Sequence, residues 1–121
     1  MARNISFALT TAQVKARTKR QTRRLGWLNL KPQTRLNACE KCQGLKPGEK
    51  IVRLDVIEVT GVRREPLEAI TPADVVAEGF PGMTPAEFVA MFCEHAGIDP
   101  ETVVTVIDFD YFVTREEVPL G

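Results

Sequence analysis

A run of basic residues near the start of the chain is the feature best suited to chemistry. Residues 15–24 carry six Lys and Arg side chains, and the first acidic residue is Glu40. Nine basic and no acidic residues precede Glu40, whereas seven basic and sixteen acidic residues occur from there onward. Such a cluster attracts phosphates and other anions, while the later acidic excess disfavours indiscriminate coating of nucleic acid. The sequence therefore predicts a local anion site.

A second candidate is the Cys-x-x-Cys pattern of Cys39 and Cys42, which is typical of zinc or redox sites. A structural zinc needs four ligands, and only Cys93 and His95 remain to supply them. Those two residues lie two apart on a predicted helix and so point to different faces. We therefore expect reduced thiols, no metal and no cofactor. The single histidine also disfavours a His-based catalytic relay.

Length and composition limit the architecture. With 121 residues, 44% of them apolar and 26% charged, the chain suits one compact domain over residues 1–121. The start of the chain lacks the ~20 apolar residues that span a bilayer, and residues 4–9 are too short and polar for a signal peptide. We expect a soluble cytoplasmic protein that makes no contact with a membrane. The oligomeric state stays open.

The elements that must position the basic run can be read from local patterns. Residues 5–9 are typical of a short strand, and Thr10 to Gln13 has the spacing of a helix capping box. A short helix should follow and end near Arg17. Residues 19–24 have neither a sustained apolar stripe nor clean alternation, which indicates a loop entering an extended piece. We expect this piece to be anchored to the core by Leu25, Trp27, Leu28 and Leu30.

The rest of the chain mixes strand and helix signals. A Pro-Gly turn at residues 47–48 leads into a predicted strand over residues 51–62, and residues 102–113 predict another. Thr71 and Thr84 each precede a Pro and stand three residues before an acid, which predicts two helix starts, with ends at Gly79 and Gly97. The second helix has an apolar stripe that we expect to be buried: Phe88, Met91, Phe92 and His95.

Because these signals do not alternate as βαβ units, and the chain is too short for a doubly wound sheet, we predict an α+β fold. The expected architecture is a small mixed β-barrel with peripheral helices.

Several motifs occur in the order found in a known family. The segment KRQTRR at residues 19–24 resembles the Gly-x-Lys-x-x-Thr-x-Arg signature of ASCH domains, a branch of the PUA-like superfamily, with Lys19, Thr22 and Arg24 at matching positions. Residues 45–50, 57–62, 77–80 and 84–88 resemble the family's Lys-x-Gly-(Asp/Glu) turn, central strand, Glu-Gly-Phe segment and following helix. Arg17 stands where the family usually has Gly, which leaves open whether the usual turn is kept.

The resemblance implies a PUA-like barrel with a cleft lined by the Lys-Thr-Arg loop and by Glu78. Members of the family are thought to bind RNA or nucleotides, and one bacterial branch hydrolyses the amide of N4-acetylcytidine with residues that match Lys19, Thr22 and Glu78. Small members are frequent in phage and prophage genomes. The implied partner is RNA or a modified nucleoside or nucleotide.

The residue types at these positions suit hydrolysis. A lysine acts as a base only when partly neutral, and crowding by other cations lowers its pKa, so Lys19 is the candidate base. Glu78 lies at the predicted end of a helix, where the negative end of the dipole favours the protonated form that a general acid needs. Thr22 could orient a water or the substrate amide. The expected anion-binding residues that surround Lys19 are Arg17, Arg20, Arg23 and Arg24.

Each site residue also has a purely structural interpretation. The basic run could be a solvated face, Glu78 a surface salt-bridge partner, Thr22 a turn cap and Trp27 a core residue and not a base-stacking one. Three functions stay open: an acylated-nucleoside amidohydrolase, a non-catalytic RNA-binding module, and a ribonuclease-like use of the same cleft. An active site requires that the Lys19 amine and the Glu78 carboxylate face one cavity within ~7 Å.

Overall fold

The structure is a computed structural model that describes residues 3–42 and 45–112. In chain order the strands and helices are β1 (Arg3–Ser6), α1 (Thr11–Lys15), β2 (Gln21–Arg24), β3 (Arg35–Cys39), β4 (Arg53–Pro66), α2 (Pro72–Ala77), α3 (Pro85–Ala96) and β5 (Val103–Tyr111).

The five strands form one sheet in the order β1-β3-β4-β5-β2. The β1–β3 pair is parallel and the other three pairs are antiparallel. β1 and β2 form the two edges of this half-barrel sheet. The Arg24 side chain links the edges by donating to the Ser6 carbonyl over 2.5 Å. The predicted mixed α+β fold with peripheral helices is confirmed.

Two apolar clusters hold the sheet, and β5 contributes to both. Ile107 and Phe109 belong to the cluster beneath β1, β3 and the start of β4. Val104 and Val106 belong to the cluster that the helices α2 and α3 cover. Because β5 is buried in both clusters, it needs a nearly continuous run of β-branched residues, which the sequence has at residues 103–107.

Both predicted helix starts are confirmed. The Thr71 hydroxyl accepts a hydrogen bond from the Asp74 amide over 3.2 Å, and the Thr84 hydroxyl accepts one from the Glu87 amide over 3.1 Å. In each case the acid side chain accepts from the cap amide in return, which completes the capping box. The helix α3 ends at Gly97, whose φ of 68° is the left-handed conformation that glycine adopts readily.

Some local expectations were wrong. Residues 8–10 form a turn of 3₁₀-helix instead of extending β1, and Thr10 makes no side-chain cap among the described residues. The Thr11 hydroxyl donates to the Phe7 carbonyl over 2.9 Å instead. A local pattern cannot show which of two adjacent threonines finds the nearer carbonyl.

The anchoring of residues 25–30 also differs from the prediction. Only Leu30 is buried and Trp27 is partly buried against the core, whereas Leu25 and Leu28 are 49% and 64% exposed. Gly26 and Trp27 both have positive φ, so the chain turns away from the sheet before it reaches Leu28.

The stripe on α3 is buried only at Phe88, while His95 is exposed. Val113, the last residue of the strand predicted over residues 102–113, lies outside the described residues. Across the described part of the chain, no helix has the length and apolar character needed to cross a membrane.

Candidate functional site

A cavity of about 290 Å³ opens between the basic segment, the end of α2 and one face of α3. Its polar lining includes Lys19, Thr22, Arg23 and Arg24 from the basic segment and Glu78 from the end of α2. The structure thus brings together residues that lie more than fifty positions apart in the chain.

Lys19 and Glu78 form a buried ion pair in this cavity. The Lys19 Nζ donates to the Glu78 Oε1 over 2.9 Å and to the Glu78 main-chain carbonyl over 2.6 Å. Each side chain is only 3% exposed. The chain reaches this geometry because α2 ends at Ala77 and Gly79 follows with a φ of 100°. The Arg20 amide also donates to the Ala77 carbonyl over 2.6 Å, which joins the two segments directly.

Burial is the main cause that lowers the pKa of Lys19 below its ordinary value. The charge and hydrogen bond of Glu78 oppose the shift, and Arg24 and Arg23 lower the pKa further. The direction agrees with the sequence-based expectation, but the chief cause differs, because desolvation outweighs crowding by cations. Arg17 and Arg20 are not among the causes of the shift.

The second oxygen of Glu78 accepts from another cation. The Arg23 Nη1 donates to the Glu78 Oε2 over 3.0 Å, so the two oxygens of one carboxylate contact Lys19 and Arg23 separately. This contact set is that of a buried, doubly paired carboxylate and excludes the ordinary surface salt bridge that sequence reasoning left open.

Thr22 and Arg24 form a second polar unit of the cavity. The Arg24 Nε donates to the Thr22 Oγ1 over 3.0 Å, and the guanidinium lies 4.9 Å from the centre of the Phe7 ring. Burial lowers the pKa of Arg24 to about 10, against the opposing charges of Glu78 and Cys42, so the side chain is still a cation at neutral pH. Because the Thr22 oxygen accepts from Arg24, its own proton is left to donate to a ligand.

Arg17 and Arg20 lie outside the cavity. Arg17 donates to both carboxylate oxygens of Asp55 over 2.8 and 3.2 Å, and Arg20 donates to Asp110 over 2.6 Å. Arg17 also adopts a φ of 59°, the left-handed region that glycine favours. Arg17 thus adopts the backbone conformation that glycine favours although no glycine is present, and its side chain points to Asp55, outside the cavity.

Two solved structures resemble this chain. A crystal structure of a protein from Enterococcus faecalis, described by the family model DUF984, superposes with a TM-score of 0.66 at 14% identity, covering 92% of this chain and 80% of that one. An ASCH domain from Lactobacillus crispatus superposes with a TM-score of 0.61 at 14% identity, covering 89% of this chain and 77% of that one. The chain has an ASCH-like fold. No family model and no curated protein sequence matches it significantly.

In this ASCH-like fold the remaining wall of the cavity is mostly apolar, with Ser6, Thr10 and His95 as its polar members. Its aromatic members come from three segments: Phe7 follows β1, Phe80 follows α2, and Phe88 and Phe92 lie on α3. The Phe80 and Phe88 rings are 5.8 Å apart, and the Phe88 and Phe92 rings 6.1 Å. Sequence reasoning assigned the α3 residues to the core and missed this role. Their spacing along one helix face was the available signal, but it does not tell a core face from a cavity wall.

In residues 3–42 and 45–112 no three His, Cys, Asp or Glu side chains are arranged so that they could hold a metal ion. Cys39, Cys42 and Cys93 are free thiols. Burial, together with the neighbouring Cys42, raises the pKa of Cys39 to about 11, so this thiol holds its proton at neutral pH.

Proposed function

We propose that this protein binds a nucleoside-sized ligand in the cavity and hydrolyses an amide on it, as in an N4-acylated cytidine. Lys19 and Glu78 would be the proton-transferring pair, and Thr22 would orient the amide or the attacking water. The observation that supports this most is the buried 2.9 Å contact between Lys19 and Glu78 in a cavity that Thr22 also lines.

Amide hydrolysis needs a base to activate water and an acid to protonate the leaving nitrogen. Proton transfer across the Lys19–Glu78 contact converts the ion pair into an amine and a carboxylic acid, which are one base and one acid. Burial lowers the pKa of Lys19, which favours the neutral amine that this transfer produces. Water would then add to the carbonyl carbon and lose a proton to Lys19, while the C–N bond breaks and Glu78 protonates the amine product.

The shape of the cavity suits a nucleoside. Its volume of about 290 Å³ lies at the lower end of the range for small-ligand sites, roughly 300 to 1,000 Å³. Phe80 and Phe92, the two partly exposed aromatic side chains of the wall, provide surfaces on which a planar base can stack. A polar end beside an apolar wall matches a ligand with a reactive amide at the edge of a flat ring.

The alternative of a binding-only RNA module is less well supported by the contacts of the basic run. Arg17, Arg20 and Arg23 all contact carboxylates, so much of the positive charge of the run is already offset. A chain of phosphates would have to compete with these ion pairs. The contacts favour one small ligand in the cavity over a long phosphate backbone along the run.

The test is to incubate the purified protein with N4-acetylcytidine and to measure released cytidine by chromatography. Wild type should turn over, Lys19→Ala should lose activity, and Arg35→Ala, which removes an exposed cation paired with Glu58, should keep it. If wild type releases no cytidine, the amidase proposal fails for this substrate. Binding of a short RNA that weakens steeply with salt would then favour the RNA-binding module. Cleavage of that RNA would favour the ribonuclease-like use of the cavity.

A further inference from the structure

Arg23 is completely buried and contacts three carboxylates. Its side chain is 0% exposed, and the Nη2 lies 2.9 Å from a Glu65 carboxylate oxygen and 3.4 Å from one of Asp74. The Nη1 donates to the Glu78 Oε2 over 3.0 Å. Although it belongs to the basic run, Arg23 is therefore committed to internal ion pairs and is not placed to bind a phosphate.

The carboxylates on the far side of Arg23 are themselves held. Arg63 donates to Glu65 over 3.0 Å and lies 3.5 Å from an Asp74 oxygen, and Gln21 donates to Asp74 over 3.1 Å. Burial acts to raise the pKa of both Glu65 and Asp74, but hydrogen bonds from Arg63 and Arg23 to Glu65, and from Thr71 and Gln21 to Asp74, hold each pKa below its ordinary value. Arg23 thus has a firm acidic support on one side and Glu78 on the other.

We infer that Arg23 is a positioning residue, which orients Glu78 toward Lys19 and sets the pH at which the Lys19–Glu78 pair releases its proton. The effect of Arg23 on the position of Glu78 and on the titration of Lys19 is independent of the proposed function. Its contribution to catalysis rests on that function. Because one guanidinium nitrogen contacts Oε2, the other carboxylate oxygen is presented to Lys19, and the carboxylate cannot rotate without losing one of two charged contacts.

Arg23 acts on the pair through the positive charge of its guanidinium, which contacts Glu78 directly. This positive charge weakens the hold of Lys19 on its proton. The charged groups that face Lys19 are Glu78 from the end of α2 and Arg23 and Arg24 from β2. His95 of α3 lines the same cavity, and Glu65 and Asp74 face Arg23 from β4 and α2.

The test is an NMR titration of the Lys19 side chain in protein carrying isotope-labelled lysine. Arg23→Gln should raise the titration midpoint of Lys19 by about one pH unit or more, because a nearby positive charge is lost. Arg23→Lys, which keeps the charge, should stay within a few tenths of the wild-type midpoint. An Arg23→Gln protein that is folded and titrates like wild type would overturn the inference.

A second variant covers the case in which Arg23→Gln does not fold. Glu65→Gln removes a negative charge at the partly exposed edge of the same cluster. It should lower the titration midpoint of Lys19, whereas Arg23→Gln should raise it. An unchanged or raised Lys19 midpoint in Glu65→Gln would also contradict the inference.

Activity adds a separate readout. With N4-acetylcytidine, the acid-side inflection of kcat/KM should move by the same amount and in the same direction as the NMR midpoint in each variant. If wild type shows no turnover, the proposed function fails, whereas the titrations still decide the role of Arg23. An inflection that stays fixed while the NMR midpoint moves would show that the pair does not govern the reaction.

Discussion

Lys19 donates to two different oxygens of one residue, the Oε1 of Glu78 at 2.9 Å and its main-chain carbonyl at 2.6 Å. The ammonium is therefore held both by a side chain and by the backbone at the end of α2. A change that rotates the Glu78 carboxylate or shifts this backbone disturbs its contact with Lys19. The geometry of the pair therefore depends on both side chains and on the turn that follows Glu78.

The first prediction concerns the stability of this pair. Glu78→Gln should lower the free energy of unfolding by about 3 to 5 kcal/mol, because it leaves the buried Lys19 without its carboxylate. Lys19→Met should cost less, because Glu78 keeps its contact with Arg23. The double variant should lose less than the sum of the two single losses by at least about 1 kcal/mol, since no unpaired charge is left between them. Urea denaturation of all four proteins measures this coupling. Strictly additive losses would show that the two side chains do not stabilise each other.

The second prediction concerns the turn after Glu78. At Gly79 the φ is 100°, and an added Cβ would lie 2.9 Å from the Cγ of Gln13. Gly79→Ala should therefore lower the free energy of unfolding by about 2 kcal/mol or more, because it adds backbone strain to a steric clash. Gly82→Ala is the matched control, because nothing lies within 4 Å of its added Cβ, and it should change stability by less than about 0.5 kcal/mol. Equal effects of the two substitutions would contradict the role of Gly79.

A third prediction concerns the left-handed conformation of Arg17. Both Arg17→Ala and Arg17→Gly remove the contact with Asp55, but only glycine adopts a φ of 59° without strain. The glycine variant should be more stable than the alanine variant by about 1 kcal/mol. Thermal denaturation of the two variants side by side measures the difference. An alanine variant at least as stable as the glycine one would show that this conformation carries no strain.

The fourth prediction concerns Tyr111, the only tyrosine in the chain. Burial, helped by the nearby charge of Asp55, raises the pKa of its phenol to about 12 from an ordinary value of 10.0. The folded protein thus holds this proton more tightly than the unfolded chain does. The contribution of Tyr111 to stability is complete below pH 10 and is lost as the pH rises toward about 12.

Because no second tyrosine contributes, the ultraviolet absorbance of the phenolate reports Tyr111 directly. The titration midpoint should lie near 12 in native protein and near 10 in denaturant. Tyr111→Phe removes both the phenol and its 2.7 Å hydrogen bond to the Lys19 carbonyl, and it should flatten the fall of stability over this range. Identical native and denatured midpoints would refute the prediction.

Local features of the fold could be predicted from the sequence because their partners lie within a few residues. The capping boxes at Thr71 and Thr84 each involve one hydroxyl and an acid three positions later, and both formed as expected. The same holds for Gly97 at the end of α3. Predictions that needed a distant partner fared worse: Leu25 and Leu28 are as apolar as Leu30, yet only the last reaches the core.

The basic run shows the same limit at the candidate site. Its charges are evident in the sequence, but their partners are not, because Glu65 and Glu78 lie 42 and 55 positions from Arg23. Only the tertiary structure decides that Arg17 and Arg20 pair outside the cavity, that Arg23 is buried against three acids, and that Lys19 meets Glu78.

The sequence by itself thus determined the starts of α2 and α3, the end of α3, the α+β class and the charged residues of the basic run, since propensity, capping and charge are properties of neighbouring residues. Which cations stay available, and which apolar residues border the cavity, was decided only when the sheet and helices packed. Burial and ion pairing depend on groups that the chain brings together from far apart, and no local pattern contains them.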